Sequence, residues 1–286
     1  MSDLRVWKYQ ATGNDFVMTF DPEDGRPLDP EEVVALCDRR FGVGADGTIR
    51  VTAGSEGRPF MDYTNADGSL AEMCGNGLRC VALLLRDLGE AAETGFEVET
   101  RAGLRRVTFE EDGRVTVDMG VPNFTKAVIP MRGPAWETFL DEPLDLGGGL
   151  VVRASAVSMG NPHLVLFVED DPERFHVAHI GEVLERDDRF PEGTNVEFAR
   201  VGSSAIDARV WERGSGETMA CGSGACAIAV AAHEAGLAGR RTTVAFPGGD
   251  VDVERREDGS VTLTGPATRV FETTVDLDEL TEALGS

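Results

Sequence analysis

A chain of 286 residues, 41% apolar and 27% charged, has the material for one large or two ordinary globular domains with a sizeable core. Its 27 Lys+Arg stand against 51 Asp+Glu, a net charge of −24 that repels nucleic acid and anionic membrane surfaces, so neither is an expected partner. Lys8 and Lys126 are the only lysines, and an acidic, lysine-poor surface resembles that of proteins from cells holding molar salt, where screening removes most of the self-repulsion.

The opening MSDLRVWKYQATGNDFV lacks the basic and apolar regions of a signal peptide, and no apolar run approaches the roughly 18 residues of a membrane helix; a cytoplasmic protein is expected. Five cysteines are an odd number, and their spacings C-x5-C and C-x4-C are not those of structural zinc, so neither a disulfide framework nor a metal site is expected.

In chain order, Gly13-Asn14 leads into a strand-like FVMTF, and EEVVALCDRRFG reads as a helix with Cys37 in the core. MCGNGLRCVALLL places Cys74 at the mouth of an apolar helix that ends at Gly89, with Cys80 inside it. Strand patterns follow across FEVETRAGLRRVTFEEDGRVTVDMG, and a linker is expected near Val121-Pro122-Asn123. The second half repeats the order. Gly160-Asn161 precedes LVLFV, AIDARVWE alternates with period two, and ERGSGETMACGSGACAIAVAA sets Cys221 before a second apolar helix that contains Cys226 and ends at Gly236. TTVAFPGGDVDVERREDGSVTLTGP then matches the earlier strand block, and TRVFETTVDL is a last strand free to return to the first sheet.

Cys74 and Cys221 are 147 positions apart, and the same offset relates Gly13-Asn14 to Gly160-Asn161, Asn65 to Glu212 and Gly89 to Gly236. Landmarks agreeing in one order indicate a duplication. The expected fold is α/β with mixed α+β sheets: two pseudo-symmetric domains, each a mixed, mostly antiparallel sheet wrapped around a central helix. The expected boundaries are 1–121, completed by 268–286, and 122–267.

A cysteine at a helix N-terminus meets unpaired N–H groups and the positive end of the dipole, which lower a thiol pKa and hold anions. Two such cysteines predict a cleft with a thiol on either wall and a small carboxylate held by Gly75, Asn76 and Gly77 on one side and Gly222, Ser223 and Gly224 on the other. One thiolate would take a proton from one face of the adjoining carbon and the opposite thiol would supply one to the other, inverting the centre without a cofactor. A pyridoxal mechanism would need a Schiff-base lysine, which neither Lys8 nor Lys126 is placed to provide.

ATGNDFV, YTNADGSLAEMCGNGLRC, SMGNPH, GTNVEF and ERGSGETMACGSGACA, which span residues 11 to 227, together resemble the motifs of the diaminopimelate epimerase family. The resemblance implies a cofactor-independent isomerase that interconverts LL- and meso-2,6-diaminopimelate in lysine biosynthesis. It implies Cys74 and Cys221 as the acid/base thiols, His163 and Glu212 assisting at the reacting centre, and Asn14, Asn65, Gly75, Asn76, Asn161, Asn195, Glu212, Arg213, Gly222 and Ser223 around the substrate. Diaminopimelate is then the small-molecule partner, and a homodimer is an assembly left open. One departure is Gly47 after FGVGAD, where some members carry glutamine, which puts one polar substrate contact in doubt. Taken singly, Asn14, Asn65 and Asn195 stand in turns where Asn is common for backbone reasons, and Glu212-Arg213 reads equally as a surface ion pair. A proline or hydroxyproline racemase, disfavoured by Asn76 and Arg213, and a non-catalytic thiol-redox or ligand-binding protein are the competing readings.

Overall fold

The computed structural model describes residues 3–285. The chain divides into two compact units, one reaching Val117 and taking in the chain from Gly265 onward, the other Asp118–Thr264. The first unit holds β1 (Asp3–Ala11), β2 (Asn14–Asp21), α1 (Pro30–Cys37), β3 (Gly47–Ala53), β4 (Pro59–Asn65), α2 (Gly75–Leu88), β5 (Phe96–Thr100), β6 (Gly103–Phe109) and the first half of β7 (Val115–Gly120), the strand at which the chain passes to the second unit. In the second lie β8 (Glu142–Asp145), β9 (Val151–Ser158), β10 (Pro162–Phe167), α3 (Val177–Glu185), β11 (Asn195–Val201), β12 (Ile206–Glu212), β13 (Gly216–Thr218), α4 (Gly222–Glu234), β14 (Arg241–Phe246), β15 (Gly249–Arg255) and β16 (Val261–Gly265). The chain then returns to the first unit through β17 (Thr268–Asp276) and α5 (Leu277–Gly285).

Within the first unit the strand order is β17-β1-β2-β3-β4-β5-β6-β7, with β2·β3 and β4·β5 parallel and the other neighbours antiparallel. The second has β8-β9-β10-β11-β12-β14-β15-β16, with β10·β11 and β12·β14 parallel and the rest antiparallel. Position by position the two orders carry the same sequence of parallel and antiparallel pairings. β17, paired with β1, holds the place in its sheet that β8 holds in the other.

The strands form where the alternation says. Val115, Val117 and Met119 are buried while Thr116 and Asp118 are half-exposed, and Ile206, Ala208 and Val210 alternate the same way along β12. Each sheet encloses its own helix: α2 packs on β1, β3, β4, β6 and β17, and α4 on β9, β10, β11, β14 and β15. Gly75 through Leu85 are all buried. In α4 the small side chains of GACAIAVAA let the strands come close on every side, so a helix of low amphipathicity is stable only inside its sheet. Left-handed Gly89 caps α2, and Gly236, also at positive φ, follows α4. No helix among the described residues is long and apolar enough to cross a membrane.

Candidate active site

In the first unit the chain turns between β1 and β2 through Thr12 and Gly13, both at positive φ, and this turn delivers Asn14 to the start of β2. Asn14 Nδ2 donates to Asp46 Oδ2 over 2.7 Å, while its Oδ1 accepts from Asn76 Nδ2 at 3.2 Å and from the Cys74 thiol at 3.6 Å. Cys74 is the N-cap of α2, and its sulfur accepts the Gly77 N–H at 3.4 Å. A side chain at Gly77 would press on Met61 Cε at 2.6 Å and Ile49 Cδ1 at 2.8 Å, so glycine is what seats the helix mouth against the sheet.

Behind Asn14 lies a charged clamp. Arg39 Nη2 lies 2.7 Å from both Asp15 Oδ1 and Asp46 Oδ1, and buried Lys8 pairs with Asp15 Oδ2 at 2.7 Å and donates to the Gly44 carbonyl. Burial alone would raise the Asp15 carboxyl, but Arg39 and Lys8 outweigh it and hold the group at about 2. Arg79, with no exposed surface, donates to Thr12 Oγ1 (3.1 Å) and to the Pro266 carbonyl (3.2 Å), tying the turn before Asn14 to the strand connection before β17. Asn65, the last residue of β4, is turned into its own loop, where its Nδ2 donates to Ser69 Oγ at 3.0 Å.

In the second unit Gly160, again at positive φ, turns the chain into β10 beside Asn161. Asn161 Nδ2 donates to Ser223 Oγ at 3.4 Å, and its Oδ1 meets His163 Nε2 at 2.9 Å. His163 Nδ1 lies 2.6 Å from Glu197 Oε1, and neither side chain has exposed surface. Cys221 caps α4 as Cys74 caps α2: its sulfur accepts the Gly224 N–H at 3.4 Å and stands 3.5 Å from Ser223 Oγ.

The expectation of a lowered thiol pKa is corrected at Cys221. Burial, then the Glu212 carboxylate, push this thiol well above its ordinary value, and Glu197 adds to them; the Ser223 hydroxyl and the Gly224 N–H oppose without winning. Two N–H or O–H donors and a helix dipole do not outweigh removal from water in the free protein. Cys80 and Cys37 are inert by the same physics, burial raising both, Cys37 to about 12.

Glu212, the last residue of β12, accepts the Thr218 hydroxyl at 2.5 Å. Asn195 is buried with its amide engaged at both ends: Nδ2 donates to the Pro162 carbonyl at 2.8 Å and Oδ1 accepts the Arg213 N–H at 2.9 Å. Arg213 Nη1 donates to the Glu192 carbonyl at 3.0 Å, and the side chain lines an open hollow of about 350 Å³ that also includes Arg132, Phe190 and Pro191.

The fold thus brings Asn14, Cys74 and Asn76 together in one unit and Asn161, His163, Ser223 and Cys221 in the other, whereas Asn65 faces Ser69. Sequence reasoning missed Glu197, Asp46, Thr218 and Arg79. Two of these carried a signal: Glu197 interrupts the apolar run NVEF and Arg79 interrupts an otherwise apolar helix, each a charge where burial on every side is expected. At Gly47 a Cβ would stand 2.6 Å from the Thr64 carbonyl oxygen and 2.6 Å from Tyr63 Cε2. The Tyr63 ring, edge-on to Phe16 at 5.6 Å, takes the room that a longer side chain there would need.

The sequence profile of the family described as diaminopimelate epimerase matches residues 6–125 and 155–270. The chain is 46% identical over 278 residues to the diaminopimelate epimerase of Synechococcus sp. (strain JA-3-3Ab), spanning 94% of this chain and 97% of that one. It is 44% identical over 279 residues to the chloroplastic diaminopimelate epimerase of Oryza sativa subsp. japonica, covering 94% of this chain and 79% of the relative. Among solved structures, a probable proline racemase from Agrobacterium radiobacter K84 superposes with a TM-score of 0.70 at 16% identity, covering 96% of this chain and 93% of that one. A Bacillus anthracis protein of the PhzF family gives 0.68 at 18% identity, covering 96% and 100%. At such identities the likeness is one of fold.

Proposed function

Because the chain belongs to the diaminopimelate epimerase family, we infer that it is an isomerase interconverting LL- and meso-2,6-diaminopimelate, a step of lysine biosynthesis. The observation that carries the mechanism is the pair of cysteines built alike, each the N-cap of the central helix of its unit with an N–H of the first turn on the sulfur. Inverting a carbon that bears a hydrogen needs a base for one face and an acid for the other, and two thiols of one design supply both.

In this reading one sulfur, ionised, takes the α-proton and the other, as thiol, returns one to the opposite face; the pair exchanges roles in the reverse direction. The α-carboxylate is held by the N–H groups of Gly75 and Asn76 and of Gly222 and Ser223, which are aligned with the helix dipoles. Asn14 and Asn161 orient the groups at the two sulfurs, and Asn65 and Glu212 receive the α-ammonium. Arg213, anchored by Asn195, pairs with the distal carboxylate. His163, behind Asn161, acts on the Cys221 side.

The chemistry runs without pyridoxal in this reading. Lys8 is locked between Asp15 and the Gly44 carbonyl, and Lys126 is paired with Glu137 at 2.7 Å, so neither amine is presented for a Schiff base. Thiols that must stay reduced suit the cytoplasm.

Incubation in heavy water tests the function. Diaminopimelate should gain one deuterium at an α-carbon in the first turnover, and a second as LL and meso forms equilibrate, while proline should gain none. Exchange into proline instead would move the chain to a racemase of imino acids, and exchange into neither would remove the enzymatic reading.

A further inference from the structure

Glu197 lies in β11 with no exposed surface; one carboxyl oxygen meets His163 and the other, Oε2, has no hydrogen-bond partner among the described residues. Burying a carboxyl with an unsatisfied oxygen costs stability, so this residue is not explained by the fold's own needs. Its surroundings form a continuous chain toward a sulfur: Glu197 Oε1 to His163 Nδ1 at 2.6 Å, Nε2 to Asn161 Oδ1 at 2.9 Å, Asn161 Nδ2 to Ser223 Oγ at 3.4 Å, and Ser223 Oγ to Cys221 Sγ at 3.5 Å.

The donors can be counted along it. Asn161 gives its N–H to Ser223, so the oxygen is the end that meets His163, and that contact requires a proton on Nε2. With Nε2 protonated, the short contact between Nδ1 and Glu197 Oε1 holds one more proton, shared by ring and carboxyl. Ser223 accepts from Asn161, which leaves its single hydroxyl proton for the Cys221 sulfur. Gly224, whose Cβ would lie 3.0 Å from Glu197 Oε1 and 3.1 Å from Cys221 Cβ, keeps the carboxyl and the thiol close by having no side chain.

We propose that Glu197 is a positioning residue for Cys221: by sharing a proton with His163, which offsets the carboxylate's own repulsion of the sulfur, it sets the direction of the chain, so that Ser223 donates to the sulfur and favours its ionised form. This rests on the reading of Cys221 as an acid/base thiol. Without the carboxyl, a neutral imidazole carries one proton on either nitrogen. Whenever that proton sits on Nδ1, Nε2 becomes an acceptor, the Asn161 amide turns over, and Ser223 donates to Asn161 instead of to Cys221.

Two measurements decide it. In ¹⁵N-histidine-labelled free protein, His163 Nε2 should be protonated throughout pH 6 to 9, and Glu197→Gln, which keeps the shape but cannot share the proton, should shift the Nδ1 resonance. In diaminopimelate turnover, Glu197→Gln and Ser223→Ala should each lower kcat about tenfold, the worth of one hydrogen bond to a charged sulfur, and the double variant also only about tenfold, because both break one chain. An unprotonated Nε2 in the wild type, a full kcat in Glu197→Gln, or losses that multiply to about a hundredfold would overturn the proposal. A wild-type chain inactive on diaminopimelate would overturn the proposed function alone, since the ring's protonation is read without substrate.

Discussion

The Cys74 thiol donates to Asn14 Oδ1 across 3.6 Å, and Asn14 is fixed in turn by a 2.7 Å hydrogen bond to Asp46. The same oxygen takes the Asn76 amide at 3.2 Å, so a single side chain from the start of β2 sets both the sulfur and the first turn of α2. In the other unit Asn161 meets Ser223, the counterpart of Asn76, at 3.4 Å. Each helix mouth is therefore met by an asparagine that follows a glycine at positive φ, at the sulfur itself in the first unit and at Ser223 beside the sulfur in the second.

Exchanging either thiol for a hydroxyl should remove catalysis and leave the fold. Cys74→Ser and Cys221→Ser should each lower kcat for diaminopimelate epimerisation by roughly 10³-fold or more, since a general acid or base contributes about 10²–10⁴ and the mechanism needs both. Chiral chromatography of the product measures it, with circular dichroism for the fold. Near-normal turnover in either variant would exclude a two-thiol mechanism.

The pH dependence should follow the Cys221 environment. Its thiol is raised in the free protein, so the ionised fraction grows as pH rises above neutrality, and kcat/KM should climb into the alkaline range before falling once both sulfurs are ionised. A profile flat from pH 6 to 10 would remove the thiols from the rate-determining protonation.

The clamp behind Asn14 should make stability depend on acid. Asp15 is held at about 2, below its unfolded value near 3.9, so its contribution is complete above about pH 5 and fades as pH falls toward 2. Asp15→Asn should cost about 2 kcal/mol in urea unfolding at pH 7. The gap between variant and wild type should narrow below pH 4, and an equal gap at pH 7 and pH 3 would contradict the linkage.

Arg213 tests the distal end of the substrate. Arg213→Met keeps the stem but loses the charge, and kcat/KM for diaminopimelate should fall by about 10²-fold, in line with roughly 3 kcal/mol for a charge-assisted pair. Thermal melting should move little, because the guanidinium makes one bond to the exposed Glu192 backbone. Unchanged kcat/KM would put the distal carboxylate elsewhere.

Gly47 should resist a longer side chain such as glutamine. Gly47→Gln places Cβ against the Thr64 carbonyl and the Tyr63 ring, and overpacking of this kind costs about 1–3 kcal/mol. Calorimetry should show a lower Tm for Gly47→Gln, and the drop caused by Gly47→Gln should be smaller in a Tyr63→Ala background than in the wild type. A Tm equal to wild type would show that β3 and β4 adjust freely.

Much of the architecture is written locally. The 147-residue repeat, the alternation along β7 and β12, the glycines after the two helices and the cysteine before each depend on nearest neighbours and on period, so the sequence carries them unaided. So does the family, since its motifs are contiguous. Only the tertiary structure decided which polar groups share a buried space. Glu197 and His163 are 34 residues apart and meet because β10 and β11 lie parallel in neighbouring positions; Asp46 reaches Asn14 through the parallel pairing of β2 with β3. The same holds for the charge of Cys221: the helix dipole is visible in GSGACA, but burial comes from the strands packed around α4, Glu197 from one of them, β11, and Glu212 from the end of β12, and desolvation there outweighs the dipole.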